Sequence, residues 1–411
     1  MVASASQVHL PEIKYYRSNS KTRYRNLIGN QVGSIDARVR EGLWMVAPGK
    51  PREGNGPLRQ SRLNAAKRAF TTRRVDASLV HGRISDGVPA PGDIVLAAIA
   101  SVGKHTRLES TQGRRMHLYE GDEIIVAYGN RYAPDQFEAI VPNGLQECDL
   151  VAGGGLASHV VSRHSSVGRP TKIKPIGLLT DKHGQVLNLA HFALPERNID
   201  DNRPRVIAVA GTSMNAGKTT AASSLIHGLT KAGLHVTASK ATGTGSGLDL
   251  WSLQDAGAGF VLDFTDMGHA STAGLAIDRL ERTVLSLIAH CTESSPDVIV
   301  VELADGLFQR ETGALLESTN FRQAIDGIVF ASGDAMGAVT GKEWLERRGH
   351  RVLALSGQLS ASPLASTEAE AATGLSVYTK AQLRDSELAP QLAFSAEMNG
   401  SAMVLNAAAV R

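Results

Sequence analysis

The sequence predicts an α/β protein in which a doubly wound parallel sheet fills the C-terminal half, preceded by a smaller β-rich domain. Three observations carry this expectation. Beyond residue 204, continuous apolar runs (205–210, 298–301, 325–330) alternate with stretches of helical periodicity, as when strands are covered on both faces by crossover helices. Between 81 and 195, short apolar runs are instead separated by Gly, Pro and Asp turns, the signature of antiparallel strands, closed in one arrangement into a barrel. The two patterns meet at PERNIDDNRP (195–204), a polar, turn-rich stretch that reads as a linker.

In chain order, the first region, 1–80, is a basic segment with one short helix. Leu58, Leu63, Ala66 and Phe70 are spaced to give the stretch 58–70 an apolar face. Residues 49–57 (GKPREGNGP) form a loop by composition. The β-rich domain, 81–195, has candidate strands at 93–100, 116–118, 123–128, 139–141, 150–151, 176–179 and 186–189. The run Gly153, Gly154, Gly155 reads as a tight turn, with a phosphate or backbone contact as the alternative. After the linker at 196–204, the last domain, 205–411, runs strand 205–210, helix 217–232, strand 236–239, helix 275–289, strand 298–301, strand 325–330, helix 342–348 and strand 351–355. No repeat at a solenoid period is present.

Composition narrows the class. The chain has 411 residues, 42% of them hydrophobic and 20% charged, enough apolar material for two or three domains. No stretch nears the roughly 18 unbroken apolar residues of a membrane span, and the N-terminus does not read as a signal peptide. Two distant cysteines, Cys148 and Cys291, make neither a disulfide scaffold nor a zinc site and fit a reducing, cytoplasmic setting. The net charge of +3 hides an asymmetry: residues 1–75 hold 15 Lys/Arg against 4 Asp/Glu. That segment is either a nucleic-acid contact or a solvated arm, and the absence of any accompanying nucleic-acid motif favours the arm.

The chemistry lies in VIAVAGTSMNAGKTT, residues 206–220. An apolar strand leads into a loop and an amphipathic helix leaves it, which is the context of a phosphate-binding P-loop. The loop and first turn comprise Gly211, Thr212, Ser213, Met214, Asn215, Ala216, Gly217, Lys218, Thr219 and Thr220. Backbone amides of such a loop, reinforced by the helix N-terminus, cradle phosphate oxygens. Lys218 would reach the β- and γ-phosphates, and the Thr219 hydroxyl would ligate Mg2+. Counting back from Gly217 and Lys218, the usual first glycine falls on Thr212, one residue after Gly211.

This GT-x4-GKT variant resembles the loop of the dethiobiotin synthetase and cobyrinic acid diamide synthase-like group of P-loop enzymes. It is also similar to P-loop ATPases related to cyclic diphosphoglycerate synthetase. The resemblance covers about 205–375. It implies that Glu302, at the end of strand 298–301, helps hold Mg2+, with Asp305 as alternative, and that Lys240, after strand 236–239, contacts substrate and phosphoryl oxygens. It also implies a homo-oligomer, commonly a dimer. Ser213 stands where partitioning-type ATPases of this class carry a second lysine, which argues against that branch. The Gly/Thr/Ser-rich run 241–247 suits an anionic substrate.

Asp263 and Asp266 close another apolar stretch; Asp263 is a candidate metal ligand or base, Asp266 a weaker one, and His269 reads as a surface residue. Residues 332–334 and 356–358, at the ends of the last two strands, flank the nucleotide base in the resembled group. The guanine-selective Asn-Lys-x-Asp motif is absent, so ATP is the expected nucleotide. The expected activity is ATP- and Mg2+-dependent phosphoryl transfer to a small anionic molecule, as a kinase or as a ligase through an acyl or carbamoyl phosphate. The alternatives are a nucleotide-switched ATPase acting on a protein partner and a polynucleotide kinase. Lys218, Lys240 and Glu302 are the expected catalytic residues.

Overall fold

In a computed structural model of the chain, residues 57–200 and 202–394 are described. The greater part of the basic segment, the loop 49–57 except its last residue, and the end of the final domain fall outside them.

The six strands of the C-terminal half are β11 (Arg205–Gly211), β12 (Val236–Lys240), β13 (Phe260–Asp263), β14 (Val298–Glu302), β15 (Gly327–Ala331) and β16 (Val352–Ser356). They form one sheet in the order β13-β12-β14-β11-β15-β16, and every pairing is parallel. Side chains alternate between faces along a strand, and both faces are covered. Val206, Ala208 and Ala210 pack with Leu280, Val284 and Ile288 of a helix at Ile277–Cys291. Ile207 and Val209 face the other way, onto Ala221, Leu225, Ile226 and Leu229 of the helix Lys218–Lys231. Full burial of such a side chain contributes roughly 1.5–3 kcal/mol, and the helical spacing follows from the period of 3.6.

The connection from β11 runs one way, past β14 to β12, while that from β14 crosses β11 to reach β15. The C-terminal ends of β11 and β14 therefore border a crevice of the kind in which open α/β sheets bind ligands.

The preceding half contains β1 (Lys67–Arg68), β2 (Gly82–Ile84), β3 (Ile94–Ser101), β6 (Glu123–Tyr128), β7 (Phe137–Ile140), β8 (Cys148–Ala152), β9 (Leu156–Arg163) and β10 (Thr171–Thr180), with β4 (Arg107–Glu109) and β5 (Arg115–His117) as a separate hairpin. Pairings β6–β3, β3–β10, β10–β8, β8–β9 and β9–β6 close a ring of five strands. Val95, Ala97, Ile99, Ile124, Val126, Tyr128, Cys148 and Leu150 pack together on one face of it; Ile94, Leu96, Ile125, Ala127 and Val151 pack on the other. The pairings are not uniformly antiparallel: β1–β6 and β6–β9 are parallel.

The expected helix over 58–70 is shorter, Gln60–Ala65. Lys67 and Arg68 leave the helical path to pair with Ile124 and Ile125, and tertiary pairing overrides the apolar spacing. The stretch 186–189 forms only isolated bridges, Val186 to Thr180 and Asn188 to Asp93, before a 3-10 turn at Leu189–Phe192. The Gly/Thr/Ser-rich run 241–247 gives way at its last residue to a helix, Gly247–Asp255.

Candidate functional site

The loop after β11 turns at two residues with positive φ, Asn215 (64°) and Gly217 (100°). Asn tolerates that conformation and Gly adopts it freely. A Cβ on Gly217 would also lie 2.9 Å from the Gly357 Cα, so this position admits no side chain. Among the described residues, the amides of Ser213, Met214, Asn215 and Gly217 have no hydrogen-bond partner. They sit directly before the N-terminus of the helix Lys218–Lys231, where the helix dipole adds positive potential. Lys218 is buried, and its Nζ donates to the Ser213 carbonyl at 2.6 Å. Burial lowers its pKa, while Glu302 and Asp305 act in the opposite direction.

Glu302 ends β14, the strand beside β11. Only 2% of its surface is exposed. Its Oε1 accepts from the Thr219 hydroxyl at 2.7 Å, whereas Oε2 is buried with no partner. Burial raises the Glu302 pKa, and Lys240, the Thr219 hydrogen bond and Lys218 pull it back. An unpaired buried carboxylate oxygen is costly, and here it lies on the residue that also holds the threonine hydroxyl. These two oxygens suit a magnesium ion that takes its remaining ligands from water and phosphate. No cluster of three or more His, Cys, Asp or Glu that could hold a metal by itself occurs among the described residues. The donor set of Thr219 and Glu302 fits a nucleotide-borne magnesium ion.

Lys240 lies in register with Glu302 on one side and Asp263 on the other. The three strand ends thus form a row of carboxylate, ammonium and carboxylate. Lys240 is buried, and its Nζ is hydrogen-bonded to Asp249, in the first turn of the helix Gly247–Asp255. Burial works against its charge, yet Asp249 and Glu302 overcome this and raise its pKa. Sequence reasoning missed Asp249 because it did not read the helix that follows the Gly/Thr/Ser-rich run 241–247.

Asp263 needs correction as a metal ligand. It sits on the edge strand β13, separated from β11 by two strands, and its Oδ1 accepts from Arg73 Nη2 at 3.1 Å and from the Thr265 amide at 2.8 Å. Asp266 accepts from the same guanidinium and from the Asp263 amide. The pair is committed to an arginine that also stacks 4.2 Å from the Phe70 ring centroid. His269 is half-buried and bonded to Thr283 at 3.1 Å; burial drops its pKa to about 4. Asp305 caps no helix. Gln309 and Asp334 cap the helices Arg310–Glu317 and Ala335–Glu346, while Asp305 is held at φ 63°. Lys218, Lys240 and Arg131 all face Asp305, but burial still raises its pKa.

Three further contacts tie the barrel half to the loops at the sheet's C-terminal edge. Asn215 donates to Asp135 at 2.6 Å. Glu109 accepts from the Gly247 amide at 2.7 Å. Gly154 lies so close to Gly245 that a Cβ there would be 2.0 Å from the Gly245 oxygen; the glycine run makes a backbone contact with the 241–247 loop. At the far side, the Gln358 amide donates to the Ala216 carbonyl (3.0 Å) and its Nε2 to the Asn215 carbonyl (2.6 Å), which places 356–358 against the phosphate loop. No single-sequence signal marks Arg73, Glu109 or Asp135, because each acts across the two halves.

No protein-family model and no curated protein matches the sequence. Among solved structures, the chain is similar to the cell division protein FtsY of Thermotoga maritima (16% identity, 50% of this chain and 74% of that one, TM-score 0.32). It is also similar to the signal recognition particle receptor FtsY of Elizabethkingia anophelis in complex with GDP (14%, 49% and 66%, TM-score 0.33), and to the signal recognition particle 54 kDa protein of Aeropyrum pernix in complex with GDP (14%, 52% and 52%, TM-score 0.32). Likenesses this loose do not define a substrate, and the functional reading rests on the residues of the site. The fold itself is plain: a mixed α/β chain whose parallel sheet carries a P-loop.

Proposed function

We propose that this protein binds ATP with magnesium and transfers the γ-phosphoryl group to a small anionic acceptor, as a kinase or as a ligase through an acyl or carbamoyl phosphate. The observation that carries the proposal is Glu302, buried, with one oxygen on the Thr219 hydroxyl and the other unpartnered, on the strand beside a loop of free amides. The free amides of Ser213, Met214, Asn215 and Gly217 bind phosphate oxygens. Lys218 exchanges the Ser213 carbonyl for the phosphate chain. Thr219 and Glu302 hold magnesium, which, when bound, neutralises charge on the phosphates. Lys240, kept protonated and oriented by Asp249, faces the acceptor and stabilises charge where it develops. The γ-phosphorus gains a bond to the acceptor oxygen and loses its bond to the bridging oxygen, and ADP leaves. The missing guanine-selective motif favours ATP, and the GT-x4-GKT loop supports a dethiobiotin synthetase-like reading.

One contact favours a second reading. The Asn215–Asp135 hydrogen bond couples the phosphate loop to the barrel, as a nucleotide-switched ATPase acting on a protein partner would require. A single assay separates them: ATP turnover with ADP and phosphate followed separately, against carboxylates, amines and hydroxy acids, with and without nucleic acid. A kinase shows acceptor-dependent ADP without free phosphate, and a ligase releases both together once its second substrate is present. Turnover indifferent to every small molecule sinks the main reading in favour of the switch, and stimulation by nucleic acid points to a polynucleotide kinase.

A further inference from the structure

Arg131 follows β6 in the barrel half, and its backbone is fixed by a two-way bridge to Ala139 (2.8 and 3.0 Å). It is 7% exposed. Its Nη2 donates to Gln136 at 2.9 Å, and its guanidinium lies 5.9 Å from the Phe137 ring centroid. Nε and Nη1, which carry most of its N–H donors, are buried with no partner. A guanidinium is desolvated at a cost that only a bound anion or carboxylate recovers well. Among the described residues, nearby His105, whose ring centroid lies 5.9 Å from that of Phe137, is kept neutral, its pKa lowered to about 4 by burial and by Arg131 itself.

What Arg131 does face is the site. Asp305 is the carboxylate whose charge acts on Arg131, and the charges of Lys218, Lys240 and Glu311 act on Asp305 in turn. Four residues along the same turn, Asp135 reaches the phosphate loop at Asn215. The turn thus overhangs the loop and brings a third cation to the edge of the space where an acceptor must lie.

We propose that Arg131 anchors the acceptor: it holds the carboxylate or phosphate group of the small substrate on the barrel side of Asp305, across from Lys218 and Lys240. The inference rests on the ATP reading above and adds that the barrel supplies part of the substrate pocket. Arg131 is then a binding residue of the site, contributed by a part of the chain with no P-loop character.

The test is calorimetric titration of orthophosphate into the full chain, preloaded with either ADP and magnesium or a non-hydrolysable ATP analogue and magnesium. In the analogue arm the γ position is filled, so phosphate reports the acceptor pocket alone. Arg131→Gln is expected to weaken phosphate in that arm by about tenfold or more, with Arg131→Lys recovering part of the loss. Equal phosphate affinity in wild type and Arg131→Gln overturns the inference, as does absence of phosphate binding to the analogue-loaded wild type. A loss confined to the ADP arm also overturns it, since Arg131 would then serve the transferred group. If the wild type binds no nucleotide, the ATP reading itself fails and takes this inference with it. Should Arg131→Gln not fold, a crystal structure of the wild type with analogue, magnesium and phosphate decides: a phosphate oxygen within about 3.2 Å of a guanidinium nitrogen supports the assignment, and none there contradicts it.

Discussion

The parallel sheet and the strand ring solve the same burial problem in different ways, and the difference decides where chemistry can sit. In the sheet, all six strands run the same way, so their C-terminal ends gather the phosphate loop, Lys240 and Glu302 along one edge. In the ring, strand directions are mixed, its ends alternate, and no such edge exists. The ring instead contributes side chains across the junction: Arg73 to Asp263 and Asp266, Glu109 to the Gly247 amide, Asp135 to Asn215. On the proposed reading the sheet half binds and reacts, while the ring half holds the loops in place and grips the acceptor.

The sharpest way to break this division is Lys218→Ala. It removes a buried ammonium whose burial is itself unfavourable, so the melt should barely move. ATP turnover should fall by about 10²–10³-fold or more. Retained turnover in a folded Lys218→Ala protein would place the chemistry elsewhere.

Arg73→Ala tests the ring half. It would leave Asp263 and Asp266 buried without their guanidinium, and breaking a buried ion pair costs roughly 3–5 kcal/mol. Chemical denaturation reads this directly. A loss under about 1 kcal/mol would mean the junction is not held there.

Glu302→Gln sharpens the comparison within the sheet half. The amide oxygen can still accept from Thr219, so the fold survives. The magnesium concentration needed for half-maximal turnover should rise by about tenfold. An unchanged magnesium requirement would move the ligand to Asp305.

The same carboxylate sets a pH dependence. Burial raises the Glu302 pKa above its ordinary value of 4.5, so the ionised form that magnesium needs is lost on acidification before an ordinary glutamate would titrate. Magnesium-dependent nucleotide binding should therefore weaken as pH falls through that raised value. Stability of the ligand-free protein moves the opposite way, because protonation relieves a buried charge. Binding that persists down to pH 4 would contradict this.

The smallest effect is expected from Asp135→Ala. Its hydrogen bond to Asn215 is exposed, and such a contact contributes about 0.5–1.5 kcal/mol. A small change in nucleotide affinity with no change in fold is the expected outcome, and a large one would favour the switch reading.

The two halves also differ in how much of them can be read from sequence. Strands of the parallel sheet are buried on both faces, so Val298–Glu302 and Gly327–Ala331 stand out as unbroken apolar runs, and the loop after β11 is a local motif. Of the ring's five strands, four were visible in the sequence, β6 with its observed bounds, while β9 (Leu156–Arg163) was missed, and their pairing depends on contacts far apart in sequence. The parallel pairing of β9 with β6 through Leu156 and Ala157 leaves no periodic trace. For the site, Lys218 and Thr219 open the helix after the phosphate loop and Glu302 ends β14, so their placement was legible. Asp249 was hidden by a helix that starts in a glycine-rich run, and Asp263 looked like a ligand because nothing local reveals Arg73 across the junction.

The central claim is that the loop after β11 and Glu302 together bind ATP with magnesium. The most direct test is calorimetric titration of a non-hydrolysable ATP analogue into the full chain, first with magnesium and then with a chelator. The account predicts one site per chain, weakened by about tenfold or more when magnesium is withdrawn. Binding of equal strength without magnesium, or no binding at all, would contradict it.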